Sequence, residues 1–197
     1  MPRLRPHDFP GLTQNLYHAQ ANGGVRFETS ILPQMTVRAF SWIAGTGNNF
    51  VPAAGQLPTL ENLDIGDYGV TLRPTRHLLI DNGYLITRLI QRRTGRSIFN
   101  NHIVRSRWNY QFTPRLSARI IVQYETLLAN PALTSLQTRK NLNADFLVTY
   151  LAHPGTAVFV GYNSNHRNTD EFLNLTRNRF LNDSRQFFVK LSYQFRF

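Results

Sequence analysis

The chain has 197 residues, 42% of them hydrophobic, with a mean hydropathy of -0.32, which is enough for one domain with no composition break that suggests two. No apolar run approaches the ~18 residues of a transmembrane helix, and the absence of cysteine removes disulfides, thiol catalysis and thiolate metal sites. The formal charge of +11 asks for an acidic partner such as nucleic acid or anionic lipid, or serves solubility.

In chain order, residues 1–22 carry Pro2, Pro6, Pro10 and Gly11 among scattered polar residues, and are read as an irregular or truncated lead-in. Residues 23–197 are read as part of a β-barrel. Val25, Phe27, Thr29 and Ile31 alternate with Arg26, Glu28 and Ser30, which puts the two sets on opposite faces of a strand. Leu32-Pro33-Gln34 turns into a second strand, Met35, Val37 and Ala39 against Thr36, Arg38, Phe40 and Trp42. A long loop rich in Gly, Asn, Pro and Ala is expected from Gly45 to about Asp64, followed by a strand through Tyr68, Val70 and Leu72. Asp81-Asn82-Gly83 interrupts the alternation between His77 and Ile90, as a hairpin turn or as a bulge, and the stretch is kept as one strand with the bulge.

After a cationic loop at Arg92–Arg96, His102, Val104, Ser106, Trp108, Tyr110 and Phe112 face away from Ile103, Arg105, Arg107, Asn109 and Gln111. Thr113-Pro114-Arg115 turns into Leu116, Ala118, Ile120, Val122 and Tyr124, opposed by Ser117, Arg119, Ile121, Gln123 and Glu125. A loop from Leu128 to Lys140 leads to Leu142, Ala144, Phe146, Val148 and Tyr150, and His153–Thr156 turns into Val158, Val160 and Tyr162. Residues 163–184 are expected to form the last loop. The final strand sets Arg185, Phe187, Val189, Leu191, Tyr193, Phe195 and Phe197 against Gln186, Phe188, Lys190, Ser192, Gln194 and Arg196.

Short turns at Pro33, Pro74, Pro114 and Pro154 recur at intervals of 41, 40 and 40 residues, with a longer polar loop between each pair. Short turns at one end and long loops at the other fit an antiparallel transmembrane-type barrel of about 8–10 strands, or its carboxy-terminal part. The forty-residue period is also that of a propeller blade, but a blade needs four short strands per repeat and two long ones are read here. Nine strands are counted, whereas single-chain bacterial membrane barrels usually have an even number. The first residues also lack a signal-peptide apolar stretch. Either another strand hides in residues 1–22, or the upstream part of a longer chain completes the barrel; an incomplete gene model is the remaining expectation.

The last strand resembles the closing strand of a bacterial outer-membrane barrel. In such strands a terminal Phe and alternate apolar residues, here Phe187, Leu191, Tyr193, Phe195 and Phe197, are read by the barrel-assembly machinery. The stretches Phe99–Thr113, Gln123-Tyr124, Asn143–Leu147, His153–Thr156, Gly161–Asn163 and Arg185–Tyr193 together resemble the carboxy-terminal region of a family of large bacterial envelope proteins. Members of that family pair an amino-terminal domain like the family-nine carbohydrate-binding module with a barrel domain of unknown function. The resemblance covers roughly residues 65–197 and implies a Gram-negative-type outer-membrane location. It transfers no catalytic residue, and no sugar chemistry, because the module is not in this sequence.

Six arginines and a lysine, Arg26, Arg38, Arg105, Arg107, Arg119, Lys190 and Arg196, fall on polar rows and outnumber Glu28, Glu125 and Asp145. If those rows line a lumen, they favour anions or form guanidinium–carboxylate ladders that plug it. His166 near Asn163, Ser164 and Asn165 supplies the residue types of a barrel lipase without converging strands or an oxyanion donor, so no catalysis is expected. No cofactor and no metal are expected either. Arginines and aromatics alternate between faces instead of sharing one, which argues against nucleic acid. The expectation is a non-enzymatic, porin-like barrel portion with a pore, transport or anchoring role, in contact with outer-membrane lipid, with an anionic or sugar solute as cargo. The alternative is a soluble all-β binding domain with a basic surface for sugar or nucleic acid.

Overall fold

Alternation of apolar and polar side chains from Val25 to Tyr193 lays the strands side by side in sequence order. The computed structural model describes residues 3–9, 11–13, 16–17, 20–153, 155–170 and 175–194; Phe195, Arg196 and Phe197 lie outside them, as does Pro154. In the lead-in, β1 (Arg3–Leu4) pairs with β2 (Leu16–Tyr17). The remaining strands are β3 (Asn22–Leu32), β4 (Met35–Asn48), β5 (Leu60–Thr75), β6 (Leu78–Ile90), β7 (Ser97–Thr113), β8 (Leu116–Ala129), β9 (Arg139–His153), β10 (Thr156–Asp170) and β11 (Leu175–Tyr193). They form one nine-stranded antiparallel sheet in which every strand pairs with its sequence neighbours.

No strand pairing joins β3 to β11 among the described residues, so the sheet is open. Strand direction alternates, so the two edges run the same way. A direct β3–β11 pair would be parallel; antiparallel closure would take an odd number of additional strands.

Register sets the tilt. Met35 pairs across β5 to β6 with Leu72 and Ile80, and the next short hairpin starts at Leu78, two residues further down. Leu78 leads through Tyr110 to Ala118, and that hairpin starts at Leu116. Leu116 leads through Tyr150 to Val158, and the last starts at Thr156. Each hairpin is thus displaced by one residue per strand. With the four turns at one level, a rise of about 3.3 Å against a strand spacing of about 4.8 Å inclines the strands by about 35° to the normal of that level.

Hydrogen bonding carries strands beyond the reach of the alternating pattern. Residues 163–184, expected as a loop, are mostly the outer parts of β10 and β11, paired through Asn163↔Gln186, Asn165↔Ser184 and Arg167↔Leu181. From Asn163 to Asp170 every side chain is polar, so no apolar–polar alternation marks the strand there. β5 likewise begins at Leu60, inside the expected 45–64 loop, because its outer part pairs with β4 and β6. The bulge expected at Asp81–Gly83 does not occur: register runs unbroken through Gly69↔Gly83, and shifts only near the two ends of β6.

At the long-loop end, residues 49–59 reach across to residues 130–138. Pro52 bridges Thr134, the Ser135 N–H donates to the Val51 carbonyl at 3.2 Å, and the Thr134 hydroxyl donates to the same carbonyl at 2.5 Å. Leu89, Ile98, Leu127, Asn48, Asn49, Glu61 and Thr134 are buried around this strap. The Glu61 carboxylate accepts from the Arg92 backbone N–H at 2.7 Å and the Thr59 hydroxyl at 2.6 Å.

A Cβ on Gly45 would run into the Leu63 carbonyl and the Trp42 ring, whereas one on Gly23 would meet nothing. Gly45→Ala is expected to lower stability by about 1–3 kcal/mol, and Gly23→Ala to change it little. Chemical unfolding of the two variants checks this; equal midpoints contradict the packing described.

Candidate functional site

Apart from the strap at the long-loop end, neither face of the sheet has a covering layer among the described residues. The chain exposes 13401 Å², where a compact protein of its 22.7 kDa exposes about 9,500 Å².

One face is apolar across its whole width. Met35, Leu72, Ile80, Trp108, Ile120, Phe146, Tyr162 and Phe187 form one continuous register row from β4 to β11. Phe187, Leu191 and Tyr193 of the proposed assembly signal lie on this face with 67%, 68% and 60% exposure, so no second protein layer covers them. The apolar band slants with the hairpins. On β11 it runs down to Tyr193, which pairs with Thr156, whereas on β4 it ends three rows higher at Met35. On β8 it extends from Leu116 to Tyr124, about 27 Å along the strand. Beyond it the same face turns polar, at Arg88 and Asn100, joined at 3.2 Å, and at Thr126, Lys140 and Arg185.

Polar atoms inside the band are tied to one another. Ser106 Oγ donates to Asn82 Oδ1 at 2.6 Å, and Trp108 Nε1 donates to Ser106 Oγ at 2.8 Å. Tyr84 Oη shares a 2.8 Å hydrogen bond with His102 Nδ1 and stacks near Tyr68. Among the aromatics of this face, Tyr110, Phe112, Tyr150 and Tyr193 lie close to the short turns, and Tyr124 toward the opposite margin. Trp108 and Tyr162 lie further in.

The opposite face gathers the expected cations. Register puts Arg26, Arg38, Arg105, Arg107, Arg119 and Lys190 all on it, spread from edge to edge rather than in a single row. Its centre is charge-compensated. Arg38 Nη1 lies 3.4 Å from Asp81 Oδ1, which also accepts from the Thr71 hydroxyl at 3.0 Å. To get there Arg38 crosses Gly69, where a Cβ would sit within 2.5 Å of its guanidinium carbon. Arg107 pairs in register with Asp81 and buries an Nε with no hydrogen-bond partner among the described residues. Asp145 accepts from the Asn163 amide, and Arg139 lies 3.8 Å from Glu125. Gly69 was not singled out from sequence, and Asp81 and Gly83 were read only as the place for a bulge; Gly69 and Gly83 on adjacent strands beside an arginine row were the available signal.

Ser164 and His166 share a face of β10. The Asn182 amide nitrogen lies 3.4 Å from Ser164 Oγ and 3.3 Å from His166 Nε2. That amide bridges the two side chains and is not an oxyanion site.

No protein-family model matches the chain, and no curated protein or solved structure matches it. The resemblance to the envelope-protein family rests on the quoted residues alone.

Asp81→Asn removes the charge that holds Arg38 across the two glycines. The expected loss of stability is about 0.5–1 kcal/mol, shrinking at high salt because the pair is partly solvated. Unfolding midpoints at low and high salt test it; a salt-independent loss contradicts an electrostatic role.

Proposed function

We propose that the chain is part of a non-enzymatic outer-membrane β-barrel whose apolar face meets lipid and whose polar face lines an aqueous interior that favours anions. The observation that carries this is the slanted apolar band. Inclined by about 35°, its ~27 Å along β8 projects to about 22 Å, close to the ~25 Å band and ~35–45° tilt of membrane barrels. A sheet packed on a soluble core has no need for an uncovered apolar row on nearly every strand, and such an exposed area in water is an aggregation hazard. The internal pairing of Asn82, Ser106 and Trp108 supports the same reading, since hydrocarbon offers no hydrogen-bond partners. Interior cations concentrated by low-dielectric walls favour anions over cations. A pore or transport role follows if the interior conducts, and an anchoring role if the strap at the long-loop end occludes it. Barrel-assembly machinery is the partner implied for insertion, and an odd number of further strands completes the ring.

The test uses the two tryptophans. Trp108 sits midway between Val104 and Phe112 on the apolar face, while Trp42 packs against Gly24 and Gly45 above the band. In vesicles of lipid brominated at mid-chain, Trp42→Phe, which leaves Trp108, is expected to show strong quenching, and Trp108→Phe little. Unquenched Trp108, or a detergent-free soluble monomer, favours a soluble all-β binding domain instead.

A further inference from the structure

We propose that the short-turn end of the polar face is a binding site for a small soluble polyanion carrying phosphate or carboxylate groups. A cleft of about 690 Å³ opens there, lined by Arg73, Arg76, His77, Asn109, Gln111 and Arg119 among others. Three separate elements bring the cations together. Arg73 lies two residues before the end of β5, with its backbone N–H donating to the Gln34 carbonyl in the neighbouring turn at 2.7 Å. Arg76 and His77 belong to the β5–β6 turn, which is tied to the sheet where the Gln111 N–H donates to the His77 carbonyl at 2.8 Å. Arg119 rises from β8 between Asn109 and Leu147 in register.

The contrast with the rest of the face makes this a site. At the centre carboxylates lie among the arginines: Asp81 is beside Arg38 and in register with Arg107, and Glu125 and Asp145 share a smaller pocket with Arg105. In the cleft no carboxylate is among the lining residues, and among the described residues none pairs with Arg73, Arg76 or Arg119. Guanidinium forks match carboxylate and phosphate oxygens in bidentate geometry, and the Asn109 and Gln111 amides can add neutral donors. The volume falls within the ~300–1,000 Å³ of small-molecule sites. A single phosphate would leave most of it empty, so the ligand carries two or more anionic groups. The site gives the anion preference proposed above a defined ligand class, and rests on that reading only for the ligand's route of access.

Calorimetric titration of the detergent-solubilised chain with citrate and with pyrophosphate tests it. Saturable binding of either anion, weakening as salt is raised, is expected. Arg73→Gln with Arg119→Gln is expected to weaken it by about tenfold or more, while Arg26→Gln, on the same face outside the cleft, leaves it unchanged. Should the double glutamine variant lose its native tryptophan spectrum, Arg73→Lys with Arg119→Lys keeps the charge and removes the forks, and weaker binding is again expected. No saturable binding at millimolar anion, an equal effect of Arg26→Gln, or displacement of the anion by an anionic lysolipid but not by salt would overturn the proposal. Binding by a chain whose Trp108 is not quenched keeps the site and removes the membrane reading; absent binding with Trp108 quenched overturns the site alone.

Discussion

Backbone hydrogen bonds between neighbouring strands, advanced by one residue at each step, are the interaction from which the other features follow. They need no second layer, because every interior strand satisfies its donors and acceptors on both sides. What they leave unsolved is the apolar face. In a sandwich that face would pack on another sheet about 10 Å away, and here Phe187, Val189 and Leu191 have no such partner. The same stagger that inclines the strands carries the apolar residues along a matching slant, so register and surface chemistry agree on one plane. Two independent properties of the chain, where its turns fall and where its apolar residues stop, thus define the same geometry.

The opposite face is organised by compensation and by its failure. In the middle, Arg38 reaches Asp81 across two facing glycines, Glu125 lies beside Arg139, and Asp145 accepts from the Asn163 amide. Toward the short turns the carboxylates run out while the arginines continue. At the other end the strap between residues 49–59 and 130–138 buries Thr134, Ile98 and Leu89, so the two ends of the polar face differ in kind: one is covered and holds the Glu61 carboxylate beside Arg92, the other is open and has no carboxylate in its lining. The edges carry a separate tension. Every residue from Phe180 to Tyr193 is exposed, and β3 is exposed along nearly its whole length. Long unpaired edges of this sort invite strand addition.

Strand identity was legible wherever one face is apolar and the other polar. From His102 to Tyr150 the alternation located β7, β8 and β9 to within a few residues at most ends; Pro33 and Pro114 fall in the turns expected of them, whereas Pro74 lies inside β5, two residues before the Arg76–His77 turn. Legibility failed where polar residues fall on both faces: β10 and β11 run on through Asn163 to Asp170 and from Leu175 because neighbouring backbones pair, and no side-chain period records that. It failed again for contacts that depend on curvature. Arg119 could be assigned to the polar face from its position, but its grouping with Arg73 and Arg76 requires the β5–β6 turn to lie against the end of that face, a fact of three-dimensional register. The strap was invisible for the same reason, since Val51 and Thr134 are far apart in sequence and lie in stretches whose composition says only loop.

The measurement that bears most directly on the central claim is a spin-label accessibility scan along β8. The chain has no cysteine, so each position from Leu116 to Glu125 can be labelled in turn after reconstitution in lipid. The account predicts a two-residue alternation, with Leu116, Ala118, Ile120, Val122 and Tyr124 relaxed by lipid-soluble oxygen and Ser117, Arg119, Ile121, Gln123 and Glu125 by a water-soluble reagent. Equal exposure of both sets to the water-soluble reagent, or loss of the alternation, would contradict it.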